Sequence, residues 1–225
     1  MSAKHEMPIT CPNCKKQHLF GVWSSINTKL DPDMKEKVKD RSAFLFVCPD
    51  CKAKTYVDYG LLYHQMEDKI MIYYVATEQD AAEADRALKA LDGDDPTGLM
   101  KGVNRGDYLI RVVRSQHALR EKIAIFDEGL DDRIIEIFKV HVLALIRKDH
   151  PEFENVEMIY LRDADEQKNY IHILADGKPR GVSEIPPKFY QELCIKFASQ
   201  LPSLRESGPY IDRDWALSIM GVGED

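Results

Sequence analysis

Apolar and polar positions change period several times along this chain, and the changes mark its elements. Short apolar runs rich in aromatic and β-branched residues occur at 19–26 (LFGVWSSI), 43–47 (AFLFV), 54–59, 69–76 (KIMIYYVA) and 108–114 (YLIRVVR), and each reads as a strand. Asp31-Pro32 opens a short Lys-rich helix ending near Asp40, with Asp31 as its cap. Thr77 caps a second helix at 78–91, whose alanine content favours that state. Two further helices are predicted at 115–128 and 133–148, the first capped by Ser115 and stopped by Gly129, the second capped by Asp131 or Asp132. In the latter, Ile134, Phe138, Val142 and Leu145 form a stripe flanked by Ile137, Val140 and Ala144. A helix apolar on two sides is sandwiched in a core or, less commonly, buried at a dimer interface.

Beyond Pro151, segments 156–162 and 169–175 read as a hairpin over a polar turn, 177–187 as loop, and 187–200 as an amphipathic helix carrying Phe189, Tyr190, Leu193 and Phe197. A short capped helix follows at 210–216. Residues 92–106, with Gly93, Pro96, Gly98, Gly102 and Gly106, form the clearest loop signal in the chain.

Composition adds bounds. The 225 residues are 44% hydrophobic, enough to fill a core, and no run approaches the roughly 18 apolar residues of a membrane span. Residues 1–10 are polar and lack a secretory apolar stretch, so a cytoplasmic location with no membrane partner is the expectation. A net charge of −7 argues against wholesale nucleic-acid binding. Charge is uneven, however: residues 1–60 carry 10 Lys and Arg against 7 Asp and Glu, while the rest carries 21 against 31.

The basic stretch holds the strongest chemical signal. Cys11-Pro12-Asn13-Cys14 and Cys48-Pro49-Asp50-Cys51 repeat one tetrapeptide, and four of the five cysteines lie in these pairs, leaving Cys194 alone. Two intervening residues let the chain turn tightly enough for both thiolates to reach one ion, and proline presets the first of them. Each pair sits beside strand sequence, as the two knuckles of a zinc ribbon do. Cys11, Cys14, Cys48 and Cys51 are therefore read as ligands of one structural Zn²⁺ per chain; four thiolates leave no open position for a substrate. Lys15, Lys16, Lys52 and Lys54 would offset the −2 charge of such a centre. Lys15 and Lys52 stand where many such knuckles have glycine. The rival reading is a redox pair, which needs the first Cys at a helix N-terminus; strand sequence follows the first pair instead. His5 and His18 flank that pair and read as surface histidines.

Other candidates carry less. His141 lies within an apolar helix and reads as a hydrogen-bonded core or interface residue. Glu121, Asp127, Glu128, Asp131 and Asp132 read as caps and solvated faces. Trp23 and Tyr56 could stack bases if the Lys-rich region bound nucleic acid. No phosphate loop, dinucleotide fingerprint or His-x-x-x-His pair occurs.

Beyond the two Cys-Pro-x-Cys pairs, several stretches together resemble the CpXC domain family of bacterial and archaeal proteins. These are Trp23-Ser24-Ser25-Ile26-Asn27, Asp31-Pro32, Phe44-Leu45-Phe46-Val47 leading into Cys48, Tyr63-His64, parts of 111–139, and 210–216. Gln65 stands where an acidic residue is expected in relatives. The resemblance implies that the four cysteines are the defining metal ligands, and it implies no activity. The combined expectation is an α+β protein: a zinc-ribbon-like antiparallel β region at 1–76, a helix and linker at 77–107, and an α+β region at 108–225, the last either separate or packed with 1–76 as one unit. Functionally, the expectation is a non-catalytic zinc-binding interaction or regulatory module with a protein partner or a second copy of itself. Nucleic-acid binding is the alternative, and an enzyme with a site in the C-terminal region the further one.

Overall fold

The structure, a computed structural model, describes residues 2–93 and 103–221. The chain divides into two compact units, Met1–Leu119 and Arg120–Asp225. Both mix helices and strands, with six α-helices and three sheets among the described residues.

The first unit runs β1 (Ala3–Thr10), β2 (Gln17–Asn27), α1 (Asp33–Lys39), β3 (Leu45–Val47), β4 (Lys54–Tyr56), β5 (Leu61–Gln65), β6 (Ile70–Tyr74), α2 (Glu78–Leu91) and β7 (Leu109–Val113). Five strands form one sheet in the order β1-β2-β5-β6-β7, and β3 and β4 form a separate hairpin. The larger sheet is mixed rather than antiparallel throughout. β1/β2 and β5/β6 are antiparallel, whereas β2/β5 and β6/β7 are parallel. Burial explains the sequence of the last two strands: β6 and β7 are buried at every position, so neither alternates, and the apolar run of β7 is broken only by the buried Arg111. One face of β6 and β7 (Met71, Tyr73, Ile110 and Val112) packs against Ala84, Leu88 and Leu91 of α2. Thr77 and Asp80 close a capping box at the start of α2, where such a cap contributes about 1 kcal/mol.

Three features of this unit depart from expectation. β1 lies at the sheet edge with most of its residues exposed, so it carries no apolar alternation to announce it. β5 alternates buried and half-buried positions and links the two parallel pairs. No side chain caps α1; Asp31 instead offers its carbonyl to the Met34 amide at 3.0 Å. Of the loop expected at 92–106, residues 94–102 lie outside the described residues. The regions expected at 1–76, 77–107 and 108–225 cut across the observed division, because β7 pairs with β6 in the first unit's sheet.

Helix α3 (Gln116–Asp127) contains the boundary between the units. The second unit continues with α4 (Asp132–Asp149), β8 (Val156–Asp163), β9 (Lys168–Ala175), β10 (Lys178–Glu184), α5 (Pro187–Phe197) and α6 (Arg213–Met220). α3 ends in a glycine cap: Gly129 has φ 65°, and the Leu130 amide reaches back to the Ile125 carbonyl at 3.0 Å. Asp131 caps α4 by accepting from the Arg133 amide at 2.9 Å. The apolar faces of α4 are buried together with Met158 and Tyr160 of β8, Ile171 of β9 and Leu193 and Phe197 of α5. The stripe stops at Leu143; Ala144 and Leu145 are exposed, contrary to expectation. β10, in a segment read as loop, extends the β8–β9 hairpin to three strands. Asp176 and Gly177, both at positive φ, form the turn into it. Asp-Gly is itself a strong hairpin signal, masked here by Pro179, Gly181 and an exposed strand.

Of the acidic cluster, Asp127 and Glu128 are exposed and Asp131 is a cap, as expected, but Glu121 and Asp132 are not solvated. Glu121, Lys122, Asp132, Glu136 and Lys139 are all buried in this unit. Lys122 Nζ lies 2.9 Å from Asp132 and 3.3 Å from Glu136; Lys139 Nζ lies 2.7 Å from Glu121 and 3.2 Å from Glu136. Lys122 also donates to the Ile211 carbonyl at 2.8 Å. Burial pushes the Glu121 carboxyl up despite Lys139, whereas at Glu136 the two ammonium groups outweigh burial and hold the carboxyl below its usual range. Two ammonium groups thus balance two of three carboxyls. Removing one partner from such a set strands a buried charge. Lys122→Met is expected to cost about 3–5 kcal/mol in urea unfolding of the full chain, whereas Lys39→Met, at an exposed pair with Glu36, leaves the midpoint nearly unchanged.

Candidate metal centre

The two Cys-Pro-x-Cys sequences form the loops of two hairpins. Thr10 pairs with Gln17 across β1 and β2, and Val47 pairs with Lys54 across β3 and β4, so residues 11–16 and 48–53 are the two loops. Their backbones repeat bond for bond. Cys11 N donates to Lys16 O at 2.9 Å and Lys15 N to Cys11 O at 3.0 Å; Cys48 N donates to Ala53 O at 2.9 Å and Lys52 N to Cys48 O at 3.0 Å. Lys15 and Lys52 adopt φ of 62° and 61°, the left-handed conformation expected at the glycine position of such a turn. For a residue with a Cβ this costs about 1–2 kcal/mol, so something else in each loop must offset it.

The loops bring all four sulfurs together. Cys11 Sγ and Cys51 Sγ are 3.6 Å apart, as are Cys14 Sγ and Cys48 Sγ, and all four lie within 4.8 Å of one another. A tetrahedron with metal–sulfur bonds of about 2.3 Å has sulfur–sulfur edges of about 3.8 Å. The same separation is far beyond a disulfide bond of about 2.05 Å, and all five cysteines are free. In each pair the first cysteine is buried and the second half-buried, so the set is closed from within and open only at its rim.

Electrostatics opposes ionising the four thiols together and suits the set to a cation. Cys51 is pulled down to about 6, chiefly by the Asn13 side chain reaching across from the other loop and then by the Ala53 amide. At Cys14 the Lys16 amide pulls downward, but burial and the three neighbouring thiols push it up to about 12. The Lys16 and Ala53 amides thus support the second cysteine of each pair. One thiol ionises easily and its neighbour then resists. A divalent ion removes that conflict by neutralising the thiolates together.

His18 is the residue that the sequence misplaced. Rather than lying on the surface, its side chain is 17% exposed, with Nε2 3.5 Å from Cys48 Sγ and 3.2 Å from Asp50 Oδ2. Cys14, His18, Cys48 and Asp50 form a second group of donors sharing two sulfurs with the first. The signal was present in Asp50, inside the second loop, and in the alternation of β2, which turns His18 to the same side as Phe20. His5 lies on exposed β1 and joins neither group. Beneath the sulfurs the hairpins pack through rings: His18 and Phe20 lie 6.0 and 5.9 Å from Phe46, and Phe44 lies 5.1 Å from Tyr59.

The remaining candidates fall elsewhere. Cys194 lies on α5 in the second unit, where burial raises its thiol. His141 bonds through Nδ1 to the Ile137 carbonyl at 2.8 Å and meets Phe189 edge-on. The rings offered for base stacking already carry cations of this chain: Arg41 stands 3.9 Å from the Tyr56 ring centre and Lys4 5.5 Å from that of Trp23. Tyr63 is fully buried and donates to Gln65 at 3.0 Å. No helix among the described residues is long and apolar enough to cross a membrane.

Comparison with known proteins places the chain by family. The family model described as CpXC protein matches residues 9–139, more than half of the chain and inclusive of both loops. The likeness at 210–216 lies outside the matched residues. No curated protein and no solved structure matches.

Because His18 touches the four-sulfur cluster without being needed to complete a tetrahedron, His18→Ala in a metal-loaded chain is expected to keep one ion per chain and weaken its retention about 10–100-fold. Competition against a chromogenic chelator measures this; loss of the ion altogether would make His18 a ligand.

Proposed function

We propose that this chain, which belongs to the CpXC family, uses Cys11, Cys14, Cys48 and Cys51 to hold one structural Zn²⁺ in a ribbon-like pair of hairpin loops, and that it acts as a non-catalytic interaction or regulatory module. The observation that carries this reading is the convergence of four sulfurs at tetrahedral spacing from two loops of identical build. Zinc suits the set because it accepts four thiolates in a closed tetrahedron and has no redox demand. A closed shell offers no position for substrate, which directs the function to surfaces. The exposed apolar side chains Leu19, Leu30 and Val47 in the first unit support a protein partner or a second copy as that contact.

Nucleic-acid binding through the Lys-rich region is the weaker reading. Lys16 leans toward Asp50 at 3.4 Å, Lys52 bonds to the Pro49 carbonyl, and the two stacking rings are engaged internally. Salt-sensitive binding of a single-stranded oligonucleotide that weakens when Lys35 and Lys37 are neutralised would favour it.

The metal reading is tested on the full chain purified under reducing conditions. Elemental analysis should return one zinc per chain, with only Cys194 reacting with a thiol reagent until a chelator or denaturant is added. Cys11→Ser and Cys48→Ser should lose the metal and lower the unfolding midpoint far more than Cys194→Ser. Hydrogen exchange should then rise at the tips of β1–β2 and β3–β4 while β6 and β7, buried throughout, stay protected. Two thiol pairs that cycle reversibly to disulfides in metal-free protein would replace this reading with a redox one.

A further inference from the structure

The two cysteine loops match in backbone but not in every side chain. Position for position, Asp50 stands in the second loop where Asn13 stands in the first, and His18 stands where the second has Thr55. Asn13 serves Cys51 as a neutral hydrogen-bond partner. Asp50, as a carboxylate, has no proton to give. It lies with His18 beside Cys14 and Cys48, the four donor atoms all within 4.8 Å of one another. Among the described residues, the Cys11–Cys51 edge of the cluster carries no such pair.

The spacing of this second set is that of a coordination sphere. Cys14 Sγ and Cys48 Sγ are 3.6 Å apart, Cys48 Sγ and His18 Nε2 3.5 Å, and His18 Nε2 and Asp50 Oδ2 3.2 Å. Bonds of about 2.3 Å to sulfur and about 2.1 Å to nitrogen and oxygen give tetrahedral edges of about 3.8, 3.6 and 3.4 Å. Hydrogen bonds span similar distances, but one Nε2–H can point squarely at only one of Cys48 and Asp50. An ion meets both. The edge is reachable from solvent, since Cys14 is half-buried and the Asp50 side chain is 41% exposed. Lys16 meets Asp50 at 3.4 Å in an exposed pair, weak enough for an ion to displace.

Charge points the same way. One divalent ion leaves four thiolates at a net charge of about −2. The Asp50 carboxylate then adds a further negative charge at the Cys14–Cys48 edge, where like charges oppose one another. A thiolate bound to one ion keeps lone pairs for a second. Two sulfurs, one imidazole nitrogen and one carboxylate oxygen make a borderline-soft set, suited to zinc or cobalt rather than to magnesium or calcium.

We propose that the Cys14–Cys48 edge takes a second divalent ion of the zinc class, with Cys14 and Cys48 bridging it to the first ion and His18 Nε2 and Asp50 Oδ2 completing its tetrahedron. His18 binds as the neutral imidazole, its proton on Nδ1. The inference rests on the four-thiolate reading above, whose single zinc fills the tighter position; the second position fills as free metal rises.

The test uses the full Cys194→Ser chain, reduced and loaded with one zinc, so that every remaining thiol is already a zinc ligand. It is titrated with Co²⁺ under anaerobic conditions. One cobalt per chain is expected, with Kd below about 100 μM, a sulfur-to-cobalt charge-transfer band in the near ultraviolet, and unchanged zinc content. That band requires a thiolate already on zinc to bind cobalt as well. His18→Ala and Asp50→Asn should each weaken cobalt binding at least about tenfold in chains confirmed to hold one zinc. Asp50→Asn copies the sequence of the first loop and so keeps the turn. Absence of saturable cobalt binding, binding with no thiolate band, cobalt that enters only as zinc leaves, or binding indifferent to both substitutions overturns the proposal and leaves the first site standing. A chain that holds no zinc at all overturns the four-thiolate reading, and this proposal falls with it.

Discussion

Four sulfur atoms confined between two hairpin loops set the terms for the first unit. They approach one another to 3.6 Å in cross-loop pairs, and full ionisation at that distance is prohibitive without a cation. The loops accept two left-handed lysines to achieve this approach. Neither cost arises from poor packing nearby, since the rings of His18, Phe20, Phe44, Phe46 and Tyr59 join the hairpins below the sulfurs. The aromatic contacts can hold the hairpins in proximity; they cannot relieve repulsion among thiolates at the tips. A cation would, and its binding energy would then become part of the stability of the loops themselves. The lysines around the centre behave accordingly. Lys16 and Lys52 hold the Asp50 carboxylate and the Pro49 carbonyl close to the sulfurs, so much of the local positive charge is already spoken for within the loops.

The second unit handles charge in the opposite way. There, two ammonium groups and three carboxyls are buried between α3 and α4 with no metal-ligating geometry among the described residues. Each ammonium touches two carboxyls, and Lys122 adds a backbone carbonyl. Such a network adds little net stability over an apolar core of the same shape. What it does impose is register: Lys122, Asp132, Glu136 and Lys139 meet only if the two helices are joined by the glycine-capped turn at Gly129 and held at one relative height. Specificity of helix pairing is the property this arrangement supplies.

How much of this was legible in the sequence depended on whether a residue's role was local. Thr77, Ser115, Asp131 and Gly129 all act within one turn of their own position, and their caps and stops are seen in the structure. The cysteine pairs are local motifs as well, and their convergence follows from repetition. Roles set by tertiary neighbours were hidden. β1 and β10 are edge strands, whose exposed faces erase the alternation used to recognise strands. Glu121 and Asp132 look like solvated charges until α3 and α4 bring Lys122 and Lys139 to them. His18 looked like a surface histidine because its partner, Asp50, lies in the other loop. Parallel pairing of β2 with β5 and of β6 with β7 was equally hidden, since a buried apolar run does not by itself say which strand lies beside it or in which direction.

The same distinction bears on the thiol centre. Each loop is local in build, yet the cost it carries is set by the pair: Lys15 and Lys52 hold positive φ, and the sulfurs approach to 3.6 Å across the loops. Neither loop alone brings more than two thiols together. The chain spends free energy on an arrangement that a bound cation would complete, and four sulfurs at that spacing suit a borderline-soft metal rather than a hard one.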